Sequence, residues 1–186
     1  MTATGHTLIE TDFGWVGVAL GSRGVRAATT PWPSPETALL KLRRLAPEAQ
    51  PPLPDDVASS LAGAVRAYLA GAASDIGVPL DLVGTPFQLA VWAAVSGIRR
   101  GETRSYGWVA ASVGRPGAAR AVGRAMSTNP IPLMVPCHRV IASGGRIGGY
   151  GGGLDAKRAL LRAEGVTIAA GAAPSPVAAA RRRQYR

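Results

Sequence analysis

Cysteine and histidine are scarce in this sequence of 186 residues, which contains one cysteine and two histidines. A single cysteine excludes an internal disulfide bond. Together, Cys137, His6 and His138 provide too few ligands for a four-coordinate structural zinc site. We therefore expect neither a bound metal nor a cofactor. Because a free thiol persists best in a reducing compartment, we expect the protein to be cytoplasmic.

Long apolar runs are also missing from the chain. No run approaches the roughly 18 consecutive apolar residues that predict a transmembrane helix. The segment Met1–Glu10 lacks the basic start and the apolar stretch of a signal peptide. With 47% hydrophobic and 17% charged residues, the chain nevertheless has enough apolar side chains for a packed core. We expect one domain, or two small domains that share a core, and no membrane partner.

Acidic residues are scarce in the second half of the chain. Residues 1–84 carry six basic and eight acidic side chains, whereas residues 85–186 carry fifteen basic and three acidic side chains. A basic surface in the second half would suit a polyanion such as nucleic acid. The alternative is a surface whose charge only keeps the protein in solution, and charge alone does not decide between the two.

The first half of the sequence predicts a small sheet with helices. Short apolar runs separated by glycine-containing turns are typical of strands, and a serine followed by a proline is typical of a helix start. The predicted strands are Thr7–Asp12, Trp15–Leu20, Val25–Thr29 and Val78–Val83, and the predicted helices are Pro35–Leu45 and Asp56–Ala70. We interpret residues 1–83 as an N-terminal α/β scaffold domain.

The second half is predicted to be mostly helical. The segment Thr85–Gln88 (TPFQ) is an N-terminal capping signature, and the helix that it opens is predicted to end at Gly101. Further helices are predicted over Tyr106–Val113, Ala118–Ser127 and Leu154–Glu164. The first two of these are joined by a short glycine-containing connector and match a helix-turn-helix.

These elements predict an α+β fold. It consists of a small N-terminal sheet-plus-helix domain and a mostly helical C-terminal domain over residues 84–168. Residues 169–186 are rich in alanine and proline and end in arginines, so we interpret them as a disordered basic tail.

The predicted helix Ala118–Ser127 has almost no side-chain bulk apart from its arginines. Arg120 and Arg124 are four residues apart and therefore share one face of the helix. A thin helix that carries arginines can approach a nucleic-acid backbone closely. The alternative is a helix of small residues packed in the core, and the two arginines favour the binding interpretation.

Cys137 is the candidate nucleophile. A lone cysteine is more often a small buried apolar residue, but here Pro136 fixes the preceding backbone and His138 could deprotonate the thiol. Arg139 and the glycine-rich stretch that follows are expected to add positive potential and free backbone N–H groups. Adjacent side chains on an extended strand point to opposite faces, so a turn or a bridging water must bring imidazole and sulfur together.

Glu164 is predicted to lie in the last turn of its helix, where the helix dipole disfavours a negative charge. Two interpretations remain open. The carboxylate is either solvated at the helix end, or it orients His138 as a carboxylate does in Cys-His and Ser-His catalytic groups.

The segment Pro136–Val140 (PCHRV) resembles the active-site signature of the methylated-DNA–protein-cysteine methyltransferases, also called O6-alkylguanine-DNA alkyltransferases. The resemblance extends from Gly84 to Gly165, with matching order and spacing. The other segments that carry it are Thr85–Gln88, Gly101–Thr103, Ser105-Tyr106, Ala119–Gly123, Asn129-Pro130, Tyr150–Leu154 and Lys157. The first 83 residues match the family only in outline.

The resemblance implies direct reversal of DNA damage. An alkyl group of O6-alkylguanine is transferred irreversibly to Cys137 in a single turnover, and transfer from O4-alkylthymine is left open. The implied catalytic residues are Cys137, His138, Glu164, Tyr106 and Asn129. The implied substrate-binding residues are Val140, Tyr150, Gly151 and Met126. The implied DNA-binding residues are Arg120, Ala119, Arg124, Ser105, Tyr106 and Arg115.

The resemblance also implies how DNA is held. The helix-turn-helix would bind double-stranded DNA in the minor groove, and Arg120 would fill the gap left by a flipped nucleotide. Tyr106 would donate a hydrogen bond to the guanine, and Asn129 would hold the turn that carries the site. We expect a monomer, and cooperative assembly on DNA is left open.

Three other functions remain possible at this point. A lesion-binding protein that lacks transfer would not need Cys137. A Cys-His hydrolase of small molecules could use the glycine-rich stretch as an oxyanion hole, but it would not explain the basic second half. A transcription regulator would use the helix-turn-helix alone and would bind with strong sequence preference.

Overall fold

The computed structural model describes residues 4–48 and 51–168, so the predicted basic tail lies outside the described residues. The chain begins with a three-stranded sheet and continues mostly as helices, with a small two-stranded sheet among them, which confirms the α+β class. In the described part, no helix combines the length and the apolar character needed to cross a membrane.

The first sheet is an antiparallel meander of three strands, as predicted. β1 (Gly5–Thr11), β2 (Gly14–Gly21) and β3 (Gly24–Ala28) pair in the order β1-β2-β3. Gly24 has a φ of +140°, and a Cβ there would lie 2.3 Å from the Pro79 carbonyl oxygen. Only glycine therefore permits the close approach of β3 to the segment around Pro79.

The strand predicted over Val78–Val83 is wrong. The segment makes only a single parallel bridge, between Val25 and Leu80. Gly77 has a φ of +66°, in the left-handed region, and Pro79 has no N–H to donate to a ladder. The apolar run therefore lies along β3 without extending the sheet.

Two helices cover the N-terminal sheet. α1 (Pro35–Leu45) begins at the N-cap Ser34, whose side chain accepts from the backbone N–H of Thr37. α2 (Asp55–Leu69) packs Val65 and Tyr68 against side chains of the strands in one apolar cluster. Both helices lie within one residue of their predicted bounds.

α3 (Pro86–Ser96) has the predicted capping box, in which the Thr85 side chain accepts from the Gln88 backbone and the Gln88 side chain accepts from the Thr85 backbone. Its predicted end at Gly101 is wrong, because the helix stops at Ser96 and Gly97 is its C-cap. The backbone N–H of Ile98 then turns back to the Val95 carbonyl, which closes the helix five residues before the expected end.

The remaining helices are α4 (Tyr106–Ser112), α5 (Ala119–Ser127) and α6 (Leu154–Ala163). α3, α4 and α5 pack around a second apolar cluster. At its centre Trp92 is only 1% exposed, and its indole N–H donates to the Ala125 carbonyl over 3.0 Å. This hydrogen bond ties α3 to α5.

A second, two-stranded sheet lies between the helices. β4 (Arg104–Ser105) pairs in parallel with β5 (Val140–Ile141). The pairing places the start of α4, at Tyr106, beside the segment that contains Cys137. Two segments that are distant in sequence are thereby joined at one site.

The first apolar cluster extends past residue 83. Ile131, Leu133 and Leu160 belong to it together with residues of β1–β3 and α2. The backbone N–H of Ala28 also donates to the Pro130 carbonyl over 2.8 Å. Both halves of the chain therefore contribute to this first cluster.

We predict that Trp92→Phe destabilises the fold because the Ala125 carbonyl loses its indole donor and keeps only the Thr128 hydroxyl as a side-chain donor. The cost should be about 0.5–1.5 kcal/mol for the lost hydrogen bond, with a further loss from the cavity. Urea denaturation would measure the free energy of unfolding. Trp108→Phe is the control, since Trp108 is 45% exposed and should change stability by less than about 0.5 kcal/mol. Equal losses in both variants would contradict the prediction.

Candidate active site

Cys137 lies in a short 3₁₀ turn, Cys137–Arg139, that leads into β5. Asn129 braces the preceding segment, because its side-chain N–H donates to the Val135 carbonyl and its oxygen accepts from the Ile131 N–H, each over 3.0 Å. Leu133, in the same segment, is buried with a φ of +75°. Such a backbone persists only where the surroundings hold it, and it delivers Cys137 at 8% exposure.

His138 is fully buried beside the carboxylate of Glu164. Its Nε2 lies 2.9 Å from Glu164 Oε1, and the Glu164 side chain, at the C-cap of α6, is 3% exposed. The solvated alternative for Glu164 is therefore not the arrangement present. Within the described residues, His138 Nδ1 is buried without a hydrogen-bond partner. The carboxylate thus fixes one ring nitrogen and leaves the other available.

Arg139 does not point its charge at the thiol, contrary to the expectation from sequence. Its Nε donates to Glu164 Oε2 over 2.9 Å, and its Nη2 donates both to Glu164 Oε1 and to the Tyr68 hydroxyl, each over 2.9 Å. Its Nη1 donates to the Ile98 carbonyl. Arg139 is only 4% exposed, so its guanidinium is the buried counter-ion of Glu164.

The ionised form of Glu164 is strongly favoured. Burial acts to raise the pKa of its carboxyl, but hydrogen bonds from His138 and Arg139, together with the arginine charge, outweigh burial and lower the pKa to about 2. Burial lowers the pKa of His138, while the bond to Glu164 opposes that shift. The resting pair is therefore a neutral imidazole that donates to a carboxylate.

The charge that faces the thiol belongs to Lys157, a role that sequence analysis missed. Lys157 is fully buried on α6, and its Nζ donates to the carbonyls of Val140 over 2.6 Å and Gly149 over 3.2 Å. Burial lowers the pKa of Lys157 to about 8, and the Cys137 charge opposes this. Lys157 shares the buried face of α6 with Leu160 and Leu161, so a lysine on an apolar helix face was the available signal.

The pKa of the Cys137 thiol reflects opposing influences. Burial raises it, whereas a hydrogen bond from Asn129, the charge of Lys157 and the local backbone N–H groups lower it. The thiolate therefore depends on its neighbours for stabilisation. A sulfur held in this way needs a base to remove its proton.

Two tyrosines, Tyr106 and Tyr150, interact electrostatically with the sulfur. The Tyr106 hydroxyl donates weakly to the Gly149 carbonyl over 3.5 Å, and a Cβ on Gly148, whose φ is +68°, would lie 3.1 Å from the Tyr106 ring. The Tyr150 hydroxyl is buried without a hydrogen-bond partner in the described part of the chain. Burial, followed by the Cys137 charge, raises the pKa of both phenols. Both hydroxyls thus stay protonated near the sulfur.

The other predicted substrate-binding residues lie in three different segments of the chain. The Val140 carbonyl already accepts from Lys157, Gly151 is exposed on the glycine-rich loop, and Met126 is half-buried against the second apolar cluster. The neighbouring Gly152 packs on the N-terminal half, because a Cβ there would lie 2.7 Å from the Thr30 hydroxyl. The loop is therefore held from both halves of the chain.

The predicted DNA-binding residues occupy the surface formed by α4 and α5. Arg120 and Arg124 are exposed on α5, whose opposite face buries Val122 and Ala125. Arg115 is exposed in the connector, and Ala119 is the half-buried first residue of α5. Ser105 is the N-cap of α4 and accepts from the Trp108 backbone N–H over 3.0 Å.

One aromatic residue on this surface was not predicted from sequence. Trp108 is 45% exposed on α4, and the Arg104 guanidinium lies 5.2 Å from the centre of its ring.

Among residues 4–48 and 51–168, no group of three or more His, Cys, Asp or Glu side chains could hold a metal ion.

Comparison with known proteins identifies similar chains. The family model described as the 6-O-methylguanine DNA methyltransferase, DNA binding domain, matches residues 86–166. The methylated-DNA–protein-cysteine methyltransferase of Mycobacterium bovis is 56% identical over 100 residues, which cover 54% of this chain and 61% of that protein. The aligned segment therefore spans less than two thirds of this curated relative.

Similarity to solved structures extends over more of the chain. The crystal structure of Mycobacterium tuberculosis OGT in complex with DNA is 38% identical, with a TM-score of 0.70 over 86% of this chain and 92% of that one. The O6-methylguanine-DNA methyltransferase from Pyrococcus kodakaraensis is 29% identical, with a TM-score of 0.67 over 82% and 92% of the two chains. The N-terminal half therefore shares the family's fold as well.

We predict that the stabilisation contributed by Glu164 depends on pH. Its pKa is about 2 in the fold against an ordinary value of 4.5, so the stabilising charge is complete above about pH 4.5 and is lost as the pH falls towards 2. Glu164→Gln should cost about 3–5 kcal/mol at neutral pH, because it leaves the buried Arg139 charge uncompensated. Chemical denaturation of both proteins at several pH values would measure the difference in unfolding free energy.

The difference in unfolding free energy between the wild-type protein and Glu164→Gln should shrink as the pH falls from about 4.5 towards 2. Asp155→Asn is the control, since it removes a fully exposed carboxylate from the same helix and touches none of the buried charged groups. A Glu164→Gln penalty that stays constant from neutral pH to pH 2 would contradict the assigned pKa.

Proposed function

Since this chain belongs to the methylated-DNA–protein-cysteine methyltransferase family, we propose that it repairs DNA by moving an alkyl group from O6-alkylguanine onto Cys137. The observation that carries the proposal is the position of the single thiol. It lies next to His138, which is paired with Glu164, and the charge of Lys157 acts on it. Its turn leads into β5, which pairs with β4 at the start of α4.

The transfer is a nucleophilic displacement. His138 accepts the Cys137 proton at Nδ1 through a water molecule, while Nε2 stays bonded to the ionised Glu164. The thiolate attacks the alkyl carbon, a carbon–sulfur bond forms, and the carbon–O6 bond breaks with its electron pair going to guanine. Tyr106 supplies a proton, so guanine leaves as a neutral base rather than as an anion. His138 then releases the former thiol proton to solvent, and solvent returns a proton to Tyr106.

The product explains single turnover. The alkyl group ends as a thioether, which thiol exchange does not reverse, and the chain has no second cysteine to continue the reaction. One molecule therefore repairs one lesion. O4-alkylthymine presents the same carbon–oxygen bond, so it is a second candidate substrate.

DNA binding is assigned to α4 and α5 as a helix-turn-helix in the minor groove. Exposed Arg120, Arg124 and Arg115 contact the DNA with Ser105 and Ala119, and Arg120 fills the space of the flipped nucleotide. The base enters between Tyr106, Tyr150 and Met126, with the Gly151 N–H directed to the alkylated oxygen and the Val140 carbonyl to the guanine amine. Because Cys137 is 8% exposed, base entry requires Tyr106 and the glycine-rich loop to move apart.

The two halves of the chain then have different tasks. Residues 84–168 carry the DNA-binding surface and the thiol, residues 1–83 form the scaffold, and residues 169–186 form a basic tail. The reduced thiol that the reaction consumes suits the cytoplasm. A monomer is sufficient, because the proposed catalytic residues lie on one chain.

We predict that the protein gains the mass of one methyl group when mixed with double-stranded DNA that contains O6-methylguanine. A peptide map should place the group on Cys137, and transfer should stop at one equivalent. Cys137→Ser should bind the same DNA with unchanged affinity and gain no mass, because a serine hydroxyl is a far weaker nucleophile than a thiolate.

Each alternative function gives a different result in this experiment. Binding without added mass on the wild-type protein would indicate a lesion-binding protein. Repeated turnover on an ester or amide would indicate a hydrolase, and strong preference for one undamaged sequence would indicate a regulator.

We also predict that Arg120→Ala slows transfer on double-stranded DNA by about tenfold, the effect of losing roughly 1.4 kcal/mol of extrusion energy. On single-stranded DNA, where the lesion is already unstacked, the variant should react at nearly the wild-type rate. Rapid-quench kinetics at saturating DNA would measure both rates. Arg43→Ala is the matched control, because it removes the same charge from an exposed position on α1. An equal slowing on single-stranded DNA would contradict the proposal that Arg120 fills the space of the flipped nucleotide.

A further inference from the structure

One side chain of the N-terminal half reaches the charged cluster behind the thiol. Tyr68 lies near the end of α2 and is 3% exposed. Its hydroxyl accepts from Arg139 Nη2 over 2.9 Å and donates to Glu164 Oε1 over 3.4 Å. Tyr68 precedes the segment 86–166 that matches the family model, so the comparison of domains does not assign it a role.

The end of α2 is attached to the same cluster by a second arginine. Arg100 donates from Nη1 to the Tyr68 carbonyl and from Nη2 to the Ala163 carbonyl, each over 2.9 Å. The guanidinium carbons of Arg100 and Arg139 lie 5.7 and 5.9 Å from the centre of the Tyr68 ring. Tyr68 is therefore held between the two arginines, with its hydroxyl directed at Glu164.

The hydroxyl occupies the remaining position around Arg139. Nε and Nη1 of that guanidinium are taken by Glu164 and the Ile98 carbonyl, and Nη2 divides its donors between Glu164 and Tyr68. Without the hydroxyl, one buried N–H of Arg139 would have no acceptor among these groups, and rotation of the guanidinium to find one would move the carboxylate.

We infer that Tyr68 is a positioning residue for the transfer reaction, which it serves by fixing Arg139 and Glu164 and, through them, the ring of His138. This inference rests on the proposed function. It gives the N-terminal half a task beyond packing, because the base that deprotonates Cys137 is oriented from α2. Burial raises the pKa of Tyr68, so the hydroxyl stays neutral and adds no second negative charge beside Glu164.

The decisive variant is Tyr68→Phe in the full-length chain, which keeps the ring in the core and removes only the hydroxyl. At saturating O6-methylguanine DNA, its rate constant for transfer should fall by about tenfold to a hundredfold, the range seen when a catalytic group is slightly misplaced. Its affinity for the DNA should not change. The pH–rate profile should move to higher pH, because a misplaced His138 assists the ionisation of Cys137 less and the thiol then ionises at a higher pH.

A matched variant separates positioning from stability. Val65→Ala removes two methyl groups from the same helix and the same apolar cluster but touches none of the charged groups. Measured below the melting temperature of both variants, it should transfer at the wild-type rate with the wild-type pH profile. If Val65→Ala lost as much rate as Tyr68→Phe, the role of Tyr68 would be structural and the inference would be wrong.

A DNA-free measurement keeps this test independent of the proposed function. The rate of alkylation of the single cysteine by iodoacetamide, followed against pH, reports the pKa of Cys137 directly. It should be higher in Tyr68→Phe than in the wild-type protein or in Val65→Ala. An unchanged alkylation profile in Tyr68→Phe would overturn the inference, whereas a wild-type protein that gains no methyl group from DNA would overturn the proposed function.

Discussion

The ionised carboxylate of Glu164 is the group on which the rest of the site depends. It is 3% exposed, and it is bonded to His138, to Arg139 and to Tyr68. A buried carboxylate is tolerated only when it is paired and fully hydrogen-bonded. The same bonds that stabilise the charge also fix the orientation of the imidazole, so the stability of the fold and the orientation of the proposed base have one physical cause.

Opposing influences act on the ionisation of the Cys137 thiol. Burial disfavours the thiolate, whereas Asn129 and the charge of Lys157 favour it. Lys157 also joins the active-site turn to the glycine-rich loop, through the carbonyls of Val140 and Gly149. A thiol that ionises only when a base acts on it is protected from unwanted alkylation, which matters for a proposed reaction that consumes the protein.

Much of the fold could be predicted from the sequence, because its signals are local. The three strands of the meander, the capped starts of α1 and α3, and the short helices α4 and α5 follow from patterns within a few residues. The errors were also local in origin. An apolar run around Pro79 was interpreted as a strand although proline cannot donate to a ladder, and Gly97 ended α3 before Gly101 could.

By itself, the sequence determined the candidate nucleophile, the basic second half of the chain and the family resemblance, because these depend on residue type and spacing. Only the tertiary structure decided which charges meet. The bond from Arg139 to Tyr68 joins residues 71 positions apart, and that to Glu164 joins residues 25 apart. Tyr68 and Lys157 lie on apolar helix faces, where the sequence pattern indicates packing. Their polar atoms reach the proposed active site only because the fold brings α2, α6 and the turn Cys137–Arg139 together.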